Sequence, residues 1–291
     1  MGLPQHWEIH GRNIVSSLQG QYALAMPMSQ PIKVATSAPT TTETPPLPKA
    51  ATSRRSTPTD SNPAGAIASA TGESVVRGKV FLRGSPPPEK SIDMGTDRHC
   101  KSMDDAPATT RHYVVNADGT LQNAFVYVKS GPAVDGKAFP VPEEKVVLDQ
   151  KGCLYHPYVL AVRAGQQLEI LNSDDTLHNV HALPNNNPEF NKGQPVKGMR
   201  FSHRFDKPEV DAPVKFKCEV HPWMFAWLFV MPHPFYEITG EAGTFEFVGL
   251  PAGDYVIAAW HQKAGVQTMM VSLGANESKE VSFDLDVKTP P

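Results

Sequence analysis

Cys218-Glu219-Val220-His221-Pro222-Trp223-Met224 decides how this chain is read, because it sets a thiolate, an imidazole and a thioether on one short loop with two residues between each. A soft thiolate and neutral imidazoles hold copper in a trigonal plane, and a long, weak thioether contact leaves a site acceptable to both Cu(I) and Cu(II). The loop supplies one imidazole and needs a second. Thr176-Leu177-His178-Asn179-Val180-His181 offers two, behind the strand-like run Gln167-Leu168-Glu169-Ile170-Leu171. Taken singly, each donor has a plainer reading: a lone cysteine is usually a small buried hydrophobe and a lone methionine a gap filler. Three donor types recurring at one spacing after a β-rich run favour the metal. A single cysteine in the loop argues against a binuclear centre with two bridging thiolates.

Cys-x-x-His-x-x-Met, followed by an apolar strand and preceded by Leu-His-Asn-Val-His, resembles the ligand segments of the blue copper proteins, or cupredoxins, of the amicyanin and plastocyanin kind. The resemblance covers about residues 145–234. It implies a Greek-key β-sandwich and one mononuclear, type 1-like copper ion cycling between Cu(I) and Cu(II). It also implies that the histidine followed by asparagine is the upstream ligand, so the set is His178, Cys218, His221 and Met224. Side-chain alternation agrees, since His178 and His181, three apart in an extended segment, face opposite ways. Cys218 would make the strong bond, His178 and His221 would complete the plane, and Met224 would be the weak axial donor that helps set the potential. Asn179 is the candidate for outer hydrogen bonds that tie the two ligand segments together. Pro222 removes a backbone N–H beside the site and stiffens the loop. The resemblance further implies that His221 is the electron port, with Pro222, Trp223 and Phe225 as an apolar docking patch for a redox partner, a cytochrome or an oxidoreductase. One-electron transfer by a carrier rather than an enzyme follows. A copper chaperone or storage protein would share these ligands, and a non-redox β-sandwich interaction protein would keep only the scaffold.

Twenty-eight prolines and twenty-one glycines punctuate short Val, Phe, Tyr and Ile runs, which points to an all-β chain. A formal charge of −3 and a pI near 6.4 give no electrostatic case for nucleic acid or a membrane surface. No apolar run reaches the length of a membrane span. No nucleophile elbow, His-Glu-x-x-His helix or phosphate loop is present.

With Cys218 assigned to copper, Cys100 and Cys153 remain as an even pair. A disulfide between them implies an oxidising compartment, periplasmic or extracellular, and would stabilise by about 4 kcal/mol in the chain-entropy picture. Cys153-x-x-His156 together with His99-Cys100 offers a rival zinc or second-copper site. Two buried free thiols in a cytosolic protein are a third reading. The small residues Ala66-Ile67-Ala68-Ser69-Ala70 approximate a cleavage site, but no apolar core precedes them, so the export route is not legible.

Residues 1–73 read as a disordered Pro/Ser/Thr/Ala-rich tail, too poor in large apolar side chains to offset the entropy of ordering. Further on, Gly243 to His261 is a strand, a Gly-Leu-Pro-x-Gly turn and a second strand, with Gln267–Ser272 and Glu280–Leu285 as two more. These resemble the carboxypeptidase regulatory-like, or prealbumin-like, β-sandwich, a module that implies no catalytic residues. Its opening strands are expected far upstream, at Ser74–Gly84 and Ala124–Val128. The expected organisation is therefore 74–136 as the first part of that sandwich, 137–235 as an inserted cupredoxin domain and 236–291 as the second part. A tandem arrangement, in which the early strands join the copper domain, stays open. Of the other histidines, His203 is isolated, His261 is read as packed or superficial, and His233, between two prolines, as a solvated turn residue.

Overall fold

The computed structural model describes residues 74–101 and 108–288, so the expected tail over 1–73 lies outside the described residues. The fold is all-β. Strand β1 (Ser74–Arg83) is followed by one short helix, α1 (Arg98–Lys101), and β2 (Phe125–Ser130). Next come β3 (Val146–Lys151), β4 (Leu154–His156), β5 (Val159–Arg163), β6 (Gln167–Asn172), β7 (His178–Leu183), β8 (Phe190–Gln194), β9 (Arg200–Arg204), β10 (Glu209–Lys217) and β11 (Phe225–Met231). The chain closes with β12 (Tyr236–Ile238), β13 (Thr244–Leu250), β14 (Gly253–His261), β15 (Gly265–Leu273) and β16 (Ser278–Asp286).

The strands form four sheets, ordered β13-β1-β16, β12-β2-β14-β15, β5-β11-β10-β7-β8 and β4-β3-β6-β9. β1 runs antiparallel to β13 and parallel to β16, while β2 pairs with β12 and β14. The early strands thus hydrogen-bond the late ones and not the strands between Val146 and Met231. Gly78 makes the close approach of β1 to β16 possible, because a Cβ there would lie 1.9 Å from the Val281 carbonyl oxygen.

Period-two alternation sorts the side chains into three cores. Val126 and Val128 of β2 join Ile257, Phe245 and Phe283 between the first two sheets. Leu160 and Val162 of β5 join Leu228, Phe216 and Leu168 between the last two. The opposite faces of the same strands meet each other: Phe125 and Tyr127 of β2 pack against Val159, Ala161, Phe229 and Met231 of β5 and β11. β2 and β5 are buried on both faces, which is why each reads as a continuous apolar run rather than an alternating one.

This seam also corrects the reading of His233. It is 6 % exposed, not solvated, since the turn after β11 carries it under Phe235, with the rings 6.3 Å apart. His261 is buried as well, its ring stacked on Tyr113 at 5.5 Å.

Candidate metal centre

β10 and β11 pair antiparallel, with Lys217 opposite Phe225, so Cys218 to Met224 is the loop that closes this hairpin. β10 also pairs with β7, with Lys217 opposite His181, and that register carries the start of β7 alongside the loop. The loop is shaped by its own backbone. The Cys218 N–H donates to the Met224 carbonyl at 3.1 Å and the Met224 N–H to the His221 carbonyl at 2.9 Å.

His178, Cys218 and His221 come together here, all buried, with one ligand atom from each within 4.8 Å of the others. The Nδ1 atoms of His178 and His221 face each other at 2.9 Å, and Cys218 Sγ lies 3.9 Å from His221 Nδ1. Met224 is wholly buried in the same core as Cys218. His181 goes the other way: its two ring nitrogens meet Glu219 and Glu189, each at 2.5 Å, on a largely solvent-facing edge.

Both outer ring nitrogens meet carboxylates. His178 Nε2 lies 2.9 Å from Asp174 Oδ2, and His221 Nε2 lies 3.1 Å from Asp97 Oδ2. Ionised carboxylates only accept, so both Nε2 atoms carry the proton and both Nδ1 atoms of the neutral rings present lone pairs. Two lone pairs and a thiol sulfur then converge on one buried point, an arrangement relieved only by a proton or a cation. The donor set therefore fits a metal ion, and its chemistry, two imidazoles with a thiolate and a nearby thioether, is that of copper.

The electrostatics follow the same pattern. Burial pushes the Cys218 thiol up, but its side-chain interactions with His178 and His221 and the backbone N–H groups near it outweigh that and bring it down to about 6. Burial likewise opposes charging His178 and His221, yet their hydrogen bonds with Asp174, Asp97 and Cys218 raise both. Asp97 is partly desolvated, which raises its carboxyl, but the Cys100 N–H and His221 hold it down at about 2.

Asn179 links β7 to the loop. Its Oδ1 accepts the Glu219 N–H at 2.7 Å and lies 3.3 Å from Cys218 Sγ, while its Nδ2 donates to Asn191 on β8. The Tyr155 hydroxyl donates to its carbonyl at 2.6 Å. Pro222 is exposed and makes no hydrogen bond to the site. Asp174, whose carboxylate also accepts the N–H groups of Gly152 and Cys153, precedes His178 by four residues and is visible in hindsight as an acid close to it in sequence. Nothing near the loop in sequence announces Asp97.

Cys100 and Cys153 form a disulfide, leaving Cys218 as the free thiol. Two other groupings with metal-like spacing, Asp97-Cys100-His221 and Cys153-Asp174-His178, each borrow a sulfur from that bridge and lack a free thiolate.

The expected docking patch looks different in three dimensions. His221, expected as the electron port, is 1 % exposed. Trp223 is half-buried, its indole N–H donating to the Cys153 carbonyl at 3.0 Å. Phe225 turns toward the seam between the sandwiches, edge-on to Tyr158 at 5.5 Å. Glu219, Val220 and Pro222 are what the loop shows to solvent, Val220 at 44 % exposure.

No family model and no curated protein matches the chain. Among solved structures it is similar to a copper-containing nitrite reductase from Thermus scotoductus SA-01, at 24 % identity and a TM-score of 0.28 over 35 % of this chain and 25 % of that one. It is also similar to a purple cupredoxin from Nitrosopumilus maritimus, at 23 % identity and a TM-score of 0.26 over 31 % of this chain and all of that one. A Cu(I) form of an amicyanin variant aligns at 21 % identity with a TM-score of 0.27, over 36 % of this chain and 98 % of that one. The chain spans a quarter of the nitrite reductase's length.

Proposed function

We propose that this protein carries single electrons through one copper ion held by His178, Cys218, His221 and Met224. The observation that carries the reading is the convergence of two imidazole lone pairs and the Cys218 sulfur at a buried point. A bound copper ion supplies one-electron exchange between Cu(I) and Cu(II). The chain's own residues supply the rest. Cys218 offers a thiol already biased toward thiolate, Asp174 fixes the tautomer and ring plane of His178, and Asn179 keeps the loop in register with β7. Four protein ligands leave no open position, so the reading is a carrier that does not turn over oxygen or nitrite.

The Cys100–Cys153 bridge supports an oxidising compartment, periplasmic or extracellular. Among the described residues no helix is long and apolar enough to cross a membrane. A redox protein would approach over Val220 and Pro222, the apolar residues that the ligand loop exposes. The sandwich of β1, β2 and β12–β16 is read as a regulatory-like binding or spacer module.

The visible spectrum tests this reading. One equivalent of Cu(II) should give an intense blue or green charge-transfer band that Cys218→Ser abolishes; a wild-type protein that stays pale sinks it.

A further inference from the structure

Asp97 sits where the chain turns into α1, and its two carboxylate oxygens do different work. Oδ1 accepts the backbone N–H groups of His99 and Cys100, at 2.8 and 3.0 Å, and so caps the turn. Oδ2 reaches out of the turn to His221 Nε2 at 3.1 Å and to the Thr176 hydroxyl at 3.2 Å. The turn is held down from both ends. Met94 and Cys100 are buried in the core beneath the site, the disulfide ties Cys100 to Cys153, and the Ile92 N–H donates to the Ala108 carbonyl at 2.8 Å. Cys100 Sγ lies 3.6 Å from His221 Nε2, and the Trp223 ring, fastened to the Cys153 carbonyl, lies 5.1 Å from the His221 ring.

A ligand histidine at the apex of a hairpin loop has no neighbour of its own on the outer side. Here the outer edge is closed by a segment from 124 residues away. We infer that Asp97 is a positioning residue for the metal centre: it holds His221 through Nε2 so that Nδ1 points at His178 and Cys218, and its disulfide-tethered turn shuts that edge against solvent and metal exchange. This rests on the proposed copper site. It goes beyond that site in assigning a role to a segment outside the strands that carry the ligands, and it moves the solvent boundary of the site off His221.

The role separates into a cap and a reach, and three side chains tell them apart. Asp97→Ser keeps a good cap for α1 but is too short to meet His221, whereas Asp97→Asn keeps the cap through its single oxygen and the bulk of the side chain but turns an N–H₂ toward the His221 Nε2–H. Metal-free protein is treated with diethyl pyrocarbonate and the modified histidines are mapped by mass spectrometry, with the exposed His156 as internal reference. His221 should be protected in wild type and modified readily in Asp97→Ser. Copper-loaded protein is then mixed with a Cu(I) chelator. Asp97→Ser should surrender copper about tenfold faster than wild type or more, and Asp97→Asn, which keeps the cap and the bulk but loses the acceptor for His221, should fall between the two. Wild-type His221 reacting as fast as His156, or Asp97→Ser matching wild type in both measurements, overturns the inference while leaving a copper site in place. Protected His221 in a protein that binds no copper overturns the electron-carrier reading, and metal positioning with it.

Discussion

Phe125 and Phe229 stack face to face, 3.7 Å between centroids and 10° from parallel, and so join β2 of one sandwich to β11, the strand that leaves the ligand loop of the other. Both are fully buried, and Trp260 closes the stack edge-on at 5.1 Å from Phe229. Truncating Phe229→Ala should cost about 3–5 kcal/mol of unfolding free energy, measured in urea. The copper band should survive, because Leu228 and Val230, on the other face of β11, are the residues that line the core under the site. Loss of the band with the fold intact would mean that the seam and the site are mechanically coupled.

The two upstream histidines should separate cleanly. His178→Ala removes a wholly buried donor and should abolish the charge-transfer band, whereas His181→Ala breaks surface contacts with Glu189 and Glu219 and should keep it at a cost within about 1 kcal/mol. Titration with Cu(II) at 1:1 checks both, and a colourless His181→Ala would reverse the ligand assignment.

Two histidines far from the loop should each withdraw stability on acidification from pH 7 to 5, opposite in sign to the contribution of His178 and His221. Burial, reinforced by Arg163, holds His233 down at about 4, and burial holds His261 at about 4 against a weak pull from Glu89. The N–H groups of Ala264 and Lys263 both point at His261 Nδ1, which must therefore be unprotonated. With folded values below the unfolded value near 6.5, protons bind the unfolded chain more tightly. The native state is then unpenalised above pH 6.5 and loses stability as pH drops from there toward 4, by about 1.4 kcal/mol per unit for each histidine. Unfolding free energies at pH 7.0, 6.0 and 5.0 check this, and replacing both with glutamine should flatten the slope.

Glu209 is 1 % exposed, and its carboxylate accepts the backbone N–H groups of Asn185, Asn186 and Asn187 and the side-chain amides of Asn185 and Asn187. Burial alone would raise its pKa, yet these donors lower it. Glu209→Gln sets an amide N–H₂ against N–H donors and should cost about 3 kcal/mol. Denaturant unfolding at pH 7 reads the loss, and a change below the error of the midpoint would mean that the loop closes without the charge.

A charge on the exposed arc of the ligand loop should slow electron exchange without touching the metal. Val220→Glu should keep the wild-type spectrum and react several-fold more slowly with a soluble cytochrome, because a desolvated carboxylate disfavours an apolar encounter. Equal stopped-flow rates would move the docking surface elsewhere.

Donor types, their spacing in Cys218 to Met224 and the side-chain alternation that sends His178 inward and His181 outward were legible in the sequence, because loop spacing and strand period are local properties of a chain. Strands β1, β2, β5, β6, β11 and β13–β16 were legible for the same reason. What covers the site was not. Asp97 and the disulfide-tethered turn reach His221 across 124 residues, and no pattern near the loop encodes that meeting. Trp223 and Phe225 read as a surface patch because a loop in isolation is exposed on every side. Tertiary packing decided otherwise, turning one onto the Cys153 carbonyl and the other into the seam. His233 was misplaced by the same blindness: its flanking prolines mark a turn, but only a second sandwich packed over that turn takes the ring out of water.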